Sequence, residues 1–414
     1  MAGKTLINGT AYDISGGKTL VDGTAYSIAG GKTLVNGTGY DISFGLSPAV
    51  VDIWSGSNRC MINCITYADG YWVVGGQYHD GSNYQAAIAY STSLNGTWTT
   101  VDLWSGTSGS NYVKSITYAD GHWLVGGLCL DPDAIKYYAR IAYATSLNGT
   151  WTTNDLWNHS SGAGIYSVAY GDGYWVVGGC RAARYARMAY TTSLDGAWTS
   201  SDLWTGSNNA YINSITYANG VWFYGAHRDS SSTDYACIGY TKSGNPPGNI
   251  YGQLNLWSDT NGGSTINSVT YADGKWVVGG CYESSSSSFA RVAVATELNG
   301  STSDWTILEE SWKDSYGTSS LNSIEYGNGY WMVGGIYRDS GSAYYARIAY
   351  TTNLDASFSS IWTVDDLYGG SSLCYINGII YADNYWVTGG YGLIDGTYYA
   401  RIVYSPTPEG FNDI

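Results

Sequence analysis

Charge is scarce in this chain. Only 12% of its 414 residues are Asp, Glu, Lys or Arg, about half the usual share in a soluble protein. Ser, Thr, Asn, Gly and Tyr must therefore cover its surface. Basic residues are scarcer still: 18 against 33 acidic ones, for a formal net charge of −15 and no basic cluster. Nucleic-acid surfaces gain affinity by neutralising phosphates with Lys and Arg, so no nucleic acid is expected as a partner. No apolar run approaches the roughly 18 residues that span a bilayer, and no membrane insertion is expected. The opening MAGKTLINGT has no apolar core of the kind a signal peptide carries, so synthesis in a cytoplasm is expected. The seven cysteines (Cys60, Cys64, Cys129, Cys180, Cys237, Cys281 and Cys374) include no CxxC pair and have no His-rich partner set. Zinc is excluded on that spacing, no metal or cofactor is expected, and free buried thiols are the reading. Cys180 and Cys281 follow the same Gly-Gly in two repeats, as interchangeable small apolar residues do.

What the chain does hold is tyrosine (41), glycine (56) and one phrase written over and over, against only 5 phenylalanines. Residues 65–76 read ITYADGYWVVGG, and copies are anchored on Trp72, Trp123, Trp175, Trp222, Trp276, Trp331 and Trp386, at spacings of 51, 52, 47, 54, 55 and 55. A repeat of this length decides architecture before any other signal. The third copy, 165–204, reads IYSVAYGDGYWVVGGCRAARYARMAYTTSLDGAWTSSDLW. Alternating IYSVAY predicts a strand, GDG a tight turn, and YWVVGG the returning strand. A polar loop, a third strand (YARMAY), a turn (TSLDG) and a fourth strand (AWTSSDLW) complete four antiparallel strands of about six residues each. Seven such units predict an all-β, seven-bladed β-propeller over residues 47–414.

The fourth-strand phrase recurs as VDLW, NDLW, SDLW and LNLW, with divergent versions ending at Trp312 and Tyr368, but none follows the seventh hairpin. The missing copy, AVVDIW at 49–54, stands upstream of blade one. The ring is therefore expected to close by pairing 49–54 with the strand holding Arg401 to Tyr404, which removes exposed sheet edges. All 18 tryptophans fall into register: seven in the hairpins, five opening the fourth strand (Trp98, Trp151, Trp198, Trp305, Trp362) and six closing it (Trp54, Trp104, Trp157, Trp204, Trp257, Trp312). A residue repeated in every blade reads as packing rather than as a sugar platform.

The turns YSTSLNGTW (90–98), YATSLNGTW (143–151) and YTTSLDGAW (190–198) resemble the Asp-box of sialidases and related propellers, a Ser-x-Asp-x-Gly-x-Thr-Trp turn between third and fourth strands. Ser91, Thr97 and Trp98 match it, whereas Ser93 stands at the Asp position and the glycine is displaced to Gly96. The resemblance spans 48–404 and implies architecture, since that turn is structural. Sialidase chemistry would add an arginine triad, a Tyr-Glu nucleophile pair and an acid Asp; the family's early Arg-Ile-Pro motif is absent. Arg140, Arg187, Arg291, Arg347 and Arg401 share one third-strand position in five blades, so they are expected to pair locally rather than converge. Retaining glycosidases need two carboxylates about 5–5.5 Å apart, and the chain has only six glutamates. One of them, Glu325 in NSIEYGNG, replaces Thr66, Thr117, Thr216 or Thr270 of other blades and is expected to be a solvated channel-lining side chain. No catalytic residue is expected.

Residues 1–46 form a second array with a 14-residue period: GKTLINGTAYDISG, GKTLVDGTAYSIAG and GKTLVNGTGYDISF. Each copy predicts a β-hairpin on an Asn-Gly or Asp-Gly turn. Isolated hairpins are marginal in water, so the apolar sets Leu6, Tyr12, Ile14; Leu20, Tyr26, Ile28; and Leu34, Tyr40, Ile42 are expected to anchor the chain or oligomerise it. These short repeats ahead of a large β-domain resemble those of bacteriophage and prophage structural proteins. The resemblance implies a virion component made in the host cytoplasm, tail or fibre adhesin in type, bound to other virion proteins or its own copies through 1–46 and homo-oligomeric in the particle. Host surface glycan or protein is the expected partner of the propeller's loops. A decoration protein without receptor binding is the first alternative, and a sialidase-like hydrolase the second.

Segments between second and third strands vary most: 77–84, 128–138, 180–185, 226–235, 281–289 and 336–345. Function concentrates on loops held by a rigid scaffold, and a Tyr-rich face suits glycan or protein. The candidate ligand-binding residues there are His79, Asp80, Asp131, Asp133, Arg228, Asp229, Arg338 and Asp339, charged side chains in a charge-poor protein.

Overall fold

The computed structural model describes residues 49–414 apart from 108, 132, 243, 245, 261–262, 285–286, 315–318, 355–361, 372 and 414. Side chains at 309–311, 313–314, 370–371 and 412–413 also fall outside that description, and of residues 1–48 it covers only the backbone of six strands.

Seven four-stranded antiparallel sheets follow one another along the chain. Blade one runs from Met61 to Gly106, blade two from Tyr112 to His159, blade three from Ala163 to Thr205 and blade four from Ala210 to Asp259. Blade five runs from Thr265 to Asp314 and blade six from Ser320 to Ser371. Blade seven takes three strands from Cys374–Ser405 and its fourth from Ala49–Gly56, with Tyr404 opposite Ala49 and Arg401 opposite Asp52. The fold is a seven-bladed propeller closed by an N-terminal strand, as expected. Its strands are longer than the six residues expected, running from seven (Tyr185–Thr191) to ten (His122–Asp131). The extra length comes from polar residues beyond the apolar core, because ladder hydrogen bonds can continue where side chains are wet.

Each hairpin turns on an Asp or Asn in the left-handed region, at φ between 46° and 52° from Asp69 to Asp383. Glycine follows in six blades; in blade seven Asn384 takes that place at φ 63°. Two positive-φ residues are what the tight I′ turn requires. The Gly-Gly after the hairpin Trp has a different cause. A Cβ at Gly334, the first of the pair, would lie 2.7 Å from Ile379 of the next blade. At Gly335, the second, it would lie 1.9 Å from the Ser320 carbonyl oxygen, where the first strand bulges. One glycine thus admits the neighbouring blade and the other admits the bulge.

The core is a set of seven wedges between blades. One wedge joins Val73, Ile88 and Trp104 of blade one to Val113, Trp123 and Val125 of blade two. The hairpin tryptophans are at most 2% exposed, which supports packing over display. Fourth-strand tryptophans tie blade to blade as well: Trp104 Nε1 donates to Leu128 O at 3.0 Å, Trp157 to Cys180 O at 2.7 Å and Trp312 to Ile336 O at 2.9 Å. Where blade six has Tyr368 instead, its hydroxyl donates to Tyr375 O of blade seven at 3.0 Å. All seven cysteines are free thiols.

Ahead of the ring, Gly3–Ile7 pairs with Thr10–Ile14, Lys18–Val21 with Thr24–Ser27, and Gly31–Val35 with Thr38–Ile42. Each pair is its own two-stranded sheet. The side chains expected to anchor the chain, from Leu6 to Ile42, lie outside the described residues.

Candidate functional site

The repeated arginines are held one by one. Arg140, Arg187, Arg347 and Arg401 each give Nε and Nη2 to both carboxylate oxygens of a fourth-strand aspartate, Asp155, Asp202, Asp366 and Asp52 respectively. Each pair spans directly opposite positions of one sheet, where opposite charges support the strand pairing. Blade one has Ala87 opposite Asp102, and the Tyr78 hydroxyl reaches that carboxylate at 3.0 Å. Blade four has Cys237 opposite Asn255, with Sγ 3.1 Å from Oδ1. Arg291 lies over the Tyr282 ring at 4.0 Å and the Trp257 ring at 5.7 Å. These groups are blade clasps, as the local reading expected.

The expected loop candidates are mostly not on loops. His79, Asp131, Arg228, Asp229 and Arg338 end second strands, and only Asp80, Asp133 and Asp339 lie in turns. The connections are short because the strands run to the rim; in blade four Ser231 and Ser232 alone join the strands. The carboxylates shape their own turns. Asp80 accepts from Ser82 N, Asn83 N and Gln85 Nε2, which hold its carboxyl down at about 2. Asp131 accepts from the Asp133 and Ala134 amides, and Asp339 from the Ala343 amide and the Tyr345 hydroxyl. Asp229 accepts from Asn208 N and so staples the link between blades three and four. His79 Nδ1 accepts from Gly81 N and Asn58 Nδ2, both at 3.1 Å. Arg228 stacks over Tyr235 and Arg338 over Tyr344. The candidates belong to blades one, two, four and six, and the structure does not gather them into one cluster.

Glu325 also departs from expectation. It is half-buried rather than fully solvated, and lies opposite Met332, whose side chain is fully buried against blade seven, so it faces the seam between blades six and seven. Burial alone pushes its carboxyl up to about 8.

The side chains that do converge are those of the first strands. An inner strand is a sheet edge, and its free N–H and C=O groups need partners. In each blade the first strand bulges by one residue, and the bulged residues are Asn63, Lys114, Tyr166, Asn213, Asn267, Asn322 and Asn377. Five asparagines donate Nδ2 to a carbonyl of the next blade: Asn63 to Val113, Asn213 to Ile266, Asn267 to Leu321, Asn322 to Ile376 and Asn377 to Ile62, at 2.8–2.9 Å. The residue after the bulge is serine in five blades. Ser115, Ser167, Ser214, Ser268 and Ser323 accept the amides of Val168, Ile215, Val269, Ile324 and Ile379 at 3.0–3.1 Å. Two rings of polar side chains thus tie each inner strand to the next, and they surround a cavity of about 450 Å³ at the propeller axis.

Lys114 and Tyr166 break the asparagine ring side by side. Among the described residues no Asp or Glu lines the cavity, and Lys114 is the single cation there. Another lining residue, Tyr375 of blade seven, stacks on Tyr391 at 5.0 Å, and exposed Arg59 lies 5.7 Å from the Tyr391 ring. Lys114 and Arg59 were missed by sequence reading. The signal was a column, INCIT, VKSIT, IYSVA, INSIT, INSVT, LNSIE, INGII, in which one lysine and one tyrosine interrupt asparagine. His227 was missed too: buried under Tyr211 at 4.8 Å, its Nδ1 lies 2.8 Å from Ser264 O and its Nε2 3.3 Å from Asp234 Oδ1.

No family model matches the chain, and no curated protein matches its sequence. Among solved structures, it is similar to YCF48 bound to D1 peptide, at 10% identity and TM-score 0.52, covering 86% of this chain and 94% of that one. It is also similar to Trypanosoma rangeli sialidase in complex with the inhibitor DANA, at 13% identity and TM-score 0.45, covering 89% and 56%. Sqt1 from Chaetomium thermophilum follows at 10% identity and TM-score 0.44, covering 80% of each chain. At such identities the likeness is one of fold. What the chain shares with the YCF48 structure is the propeller.

Proposed function

We propose that this protein is a non-catalytic attachment protein of a bacteriophage virion, with residues 1–46 as the anchor and the propeller as the head that meets host glycan or protein. One observation carries the reading: three hairpins, each paired only with itself, stand before a ring whose strands are all paired within their blades. A two-stranded sheet alone is marginal, and its open edges invite another chain. The ring has a complete set of four strands in every blade, the last supplied by Ala49–Gly56, and is suited to stand clear. The phage-like repeats at 3–44 set the virion context. In the turns at 90–98 and 190–198, Ser91 and Thr191 bond the backbone of Ser93 and Ser193 on both its donor and acceptor sides.

A binding role is favoured over hydrolysis by where the charges go. Four arginines at the repeated position are consumed by aspartates of their own blades, and Glu325 is shifted by burial without a second carboxylate acting on it. The test divides the chain. Residues 1–46 fused to a soluble carrier should oligomerise or bind particles, and residues 47–414 should block particle adsorption to host cells. An inert fusion, alongside a propeller that binds particles, would reverse anchor and head.

A further inference from the structure

We infer that the axial cavity is a binding site for a small hydroxylated carboxylate, the chemistry of an acidic monosaccharide, with Lys114 as its charge partner. The inference stands apart from the attachment reading, because it uses the channel rather than the rim or the hairpins.

The ring does not need a cation at this position. Five blades fill the bulge with asparagine, whose Nδ2 caps the next blade's carbonyl. Lysine offers no acceptor and places a full charge where an amide suffices. Burial opposes that charge and lowers the ammonium pKa. An uncompensated enclosed cation is costly, and buried charges are normally paired. Yet no carboxylate pairs with Lys114 among the described residues, and none lines the cavity. An anion entering the cavity supplies what the fold leaves out.

The remaining walls select its class. Amides of Asn63 and Asn377, hydroxyls of Ser115 and Ser167 and the Tyr375 ring face the same space. Such a set suits hydroxyl groups and a sugar face rather than an apolar tail. A volume of about 450 Å³ falls within the ordinary range for small-molecule pockets. Arg59 at the rim adds a second positive charge, near enough to Tyr375 to oppose the rise that burial gives its hydroxyl. In a chain of net charge −15, a cation facing an otherwise polar cavity makes this an exception to the field of the whole molecule.

The experiment titrates the full chain with D-glucuronate, D-glucose and inorganic phosphate by calorimetry. Saturable binding of glucuronate, with glucose and phosphate each at least tenfold weaker, is expected. Lys114→Asn, which writes the residue of five other blades into blade two, should keep or raise the melting midpoint while weakening glucuronate at least tenfold. Lys114→Arg should retain binding, and Lys114→Met is the neutral control should the asparagine variant fold poorly. Unchanged affinity in a folded neutral variant would overturn the site, as would absence of glucuronate binding by the native chain. Glucose or phosphate binding as tightly as glucuronate would overturn the ligand class.

Discussion

The propeller carries two belts of repeated polar contacts, and they work in opposite directions. The outer belt, the Arg–Asp clasps, joins third strand to fourth inside a blade. The inner belt, the Asn and Ser rings, joins first strand to first strand across blades. When the outer belt loses its arginine, a neighbour substitutes, as Tyr78 does at Asp102. Substitution is easy there because the pairs are partly wet, with Arg140 and Asp155 side chains 23% and 30% exposed, and water covers a mismatch. The inner belt serves backbone groups at the axis, where an unmet carbonyl costs more. Its breaks at Lys114 and Tyr166 therefore carry more information than the breaks outside.

Four measurements sharpen or break this contrast. The largest effect should come from removing residues 1–56, which takes the strand that closes the ring and supplies Asp52, blade seven's half of the outer belt; cooperative melting should be lost, whereas removal of 1–40 should leave the midpoint unchanged. If both truncations melt alike, closure is not what holds the ring.

Next is the seam at Glu325. Its folded pKa of about 8 lies above the ordinary 4.5 of a glutamate, so the folded state holds the proton more tightly. Stability is then full below pH 4.5 and falls as pH rises through about 8, by up to ~1.4 kcal/mol per pH unit. Glu325→Gln should match the native chain at pH 4.5 and exceed it by a few kcal/mol above pH 8. A pH-independent difference would remove the seam assignment.

Smaller is Asn322→Ala, which strands the Ile376 carbonyl and should cost about 1–2 kcal/mol in denaturant melts, unaffected by salt. The smallest is Arg140→Ala in the outer belt, at under ~1 kcal/mol and shrinking further in high salt. An outer loss larger than the inner one would invert the ranking.

The fold was readable because a fifty-residue repeat writes each strand seven times, and a missing fourth strand in one place matched an extra one in another. The arginines were readable as structural for the same reason. The axis was not. Asn63 and Ser115 look like ordinary polar positions of a half-buried strand, since a bulge leaves no letter in the sequence beyond the Gly-Gly that accommodates it. The rim candidates are a different case. Asp80, Asp131 and Asp339 stand out by charge, but Asp is also the residue that caps a tight turn through its own carboxylate, and that is the use found for each.

The pairing of Tyr404 with Ala49 has a consequence for how the chain can be rewritten. Where the other blades pass from third strand to fourth through a short turn, blade seven has two strands that lie side by side without one. Joining Ser405 to Ala49 through a copy of Thr92–Thr97 would make blade seven like its neighbours and leave the path around the axis without beginning or end. The cut could then be moved to any link between blades. Circular permutants opened at Ser207–Asn209, for instance, should fold to the same ring, because the starting point belongs to the gene and the cyclic order to the physics.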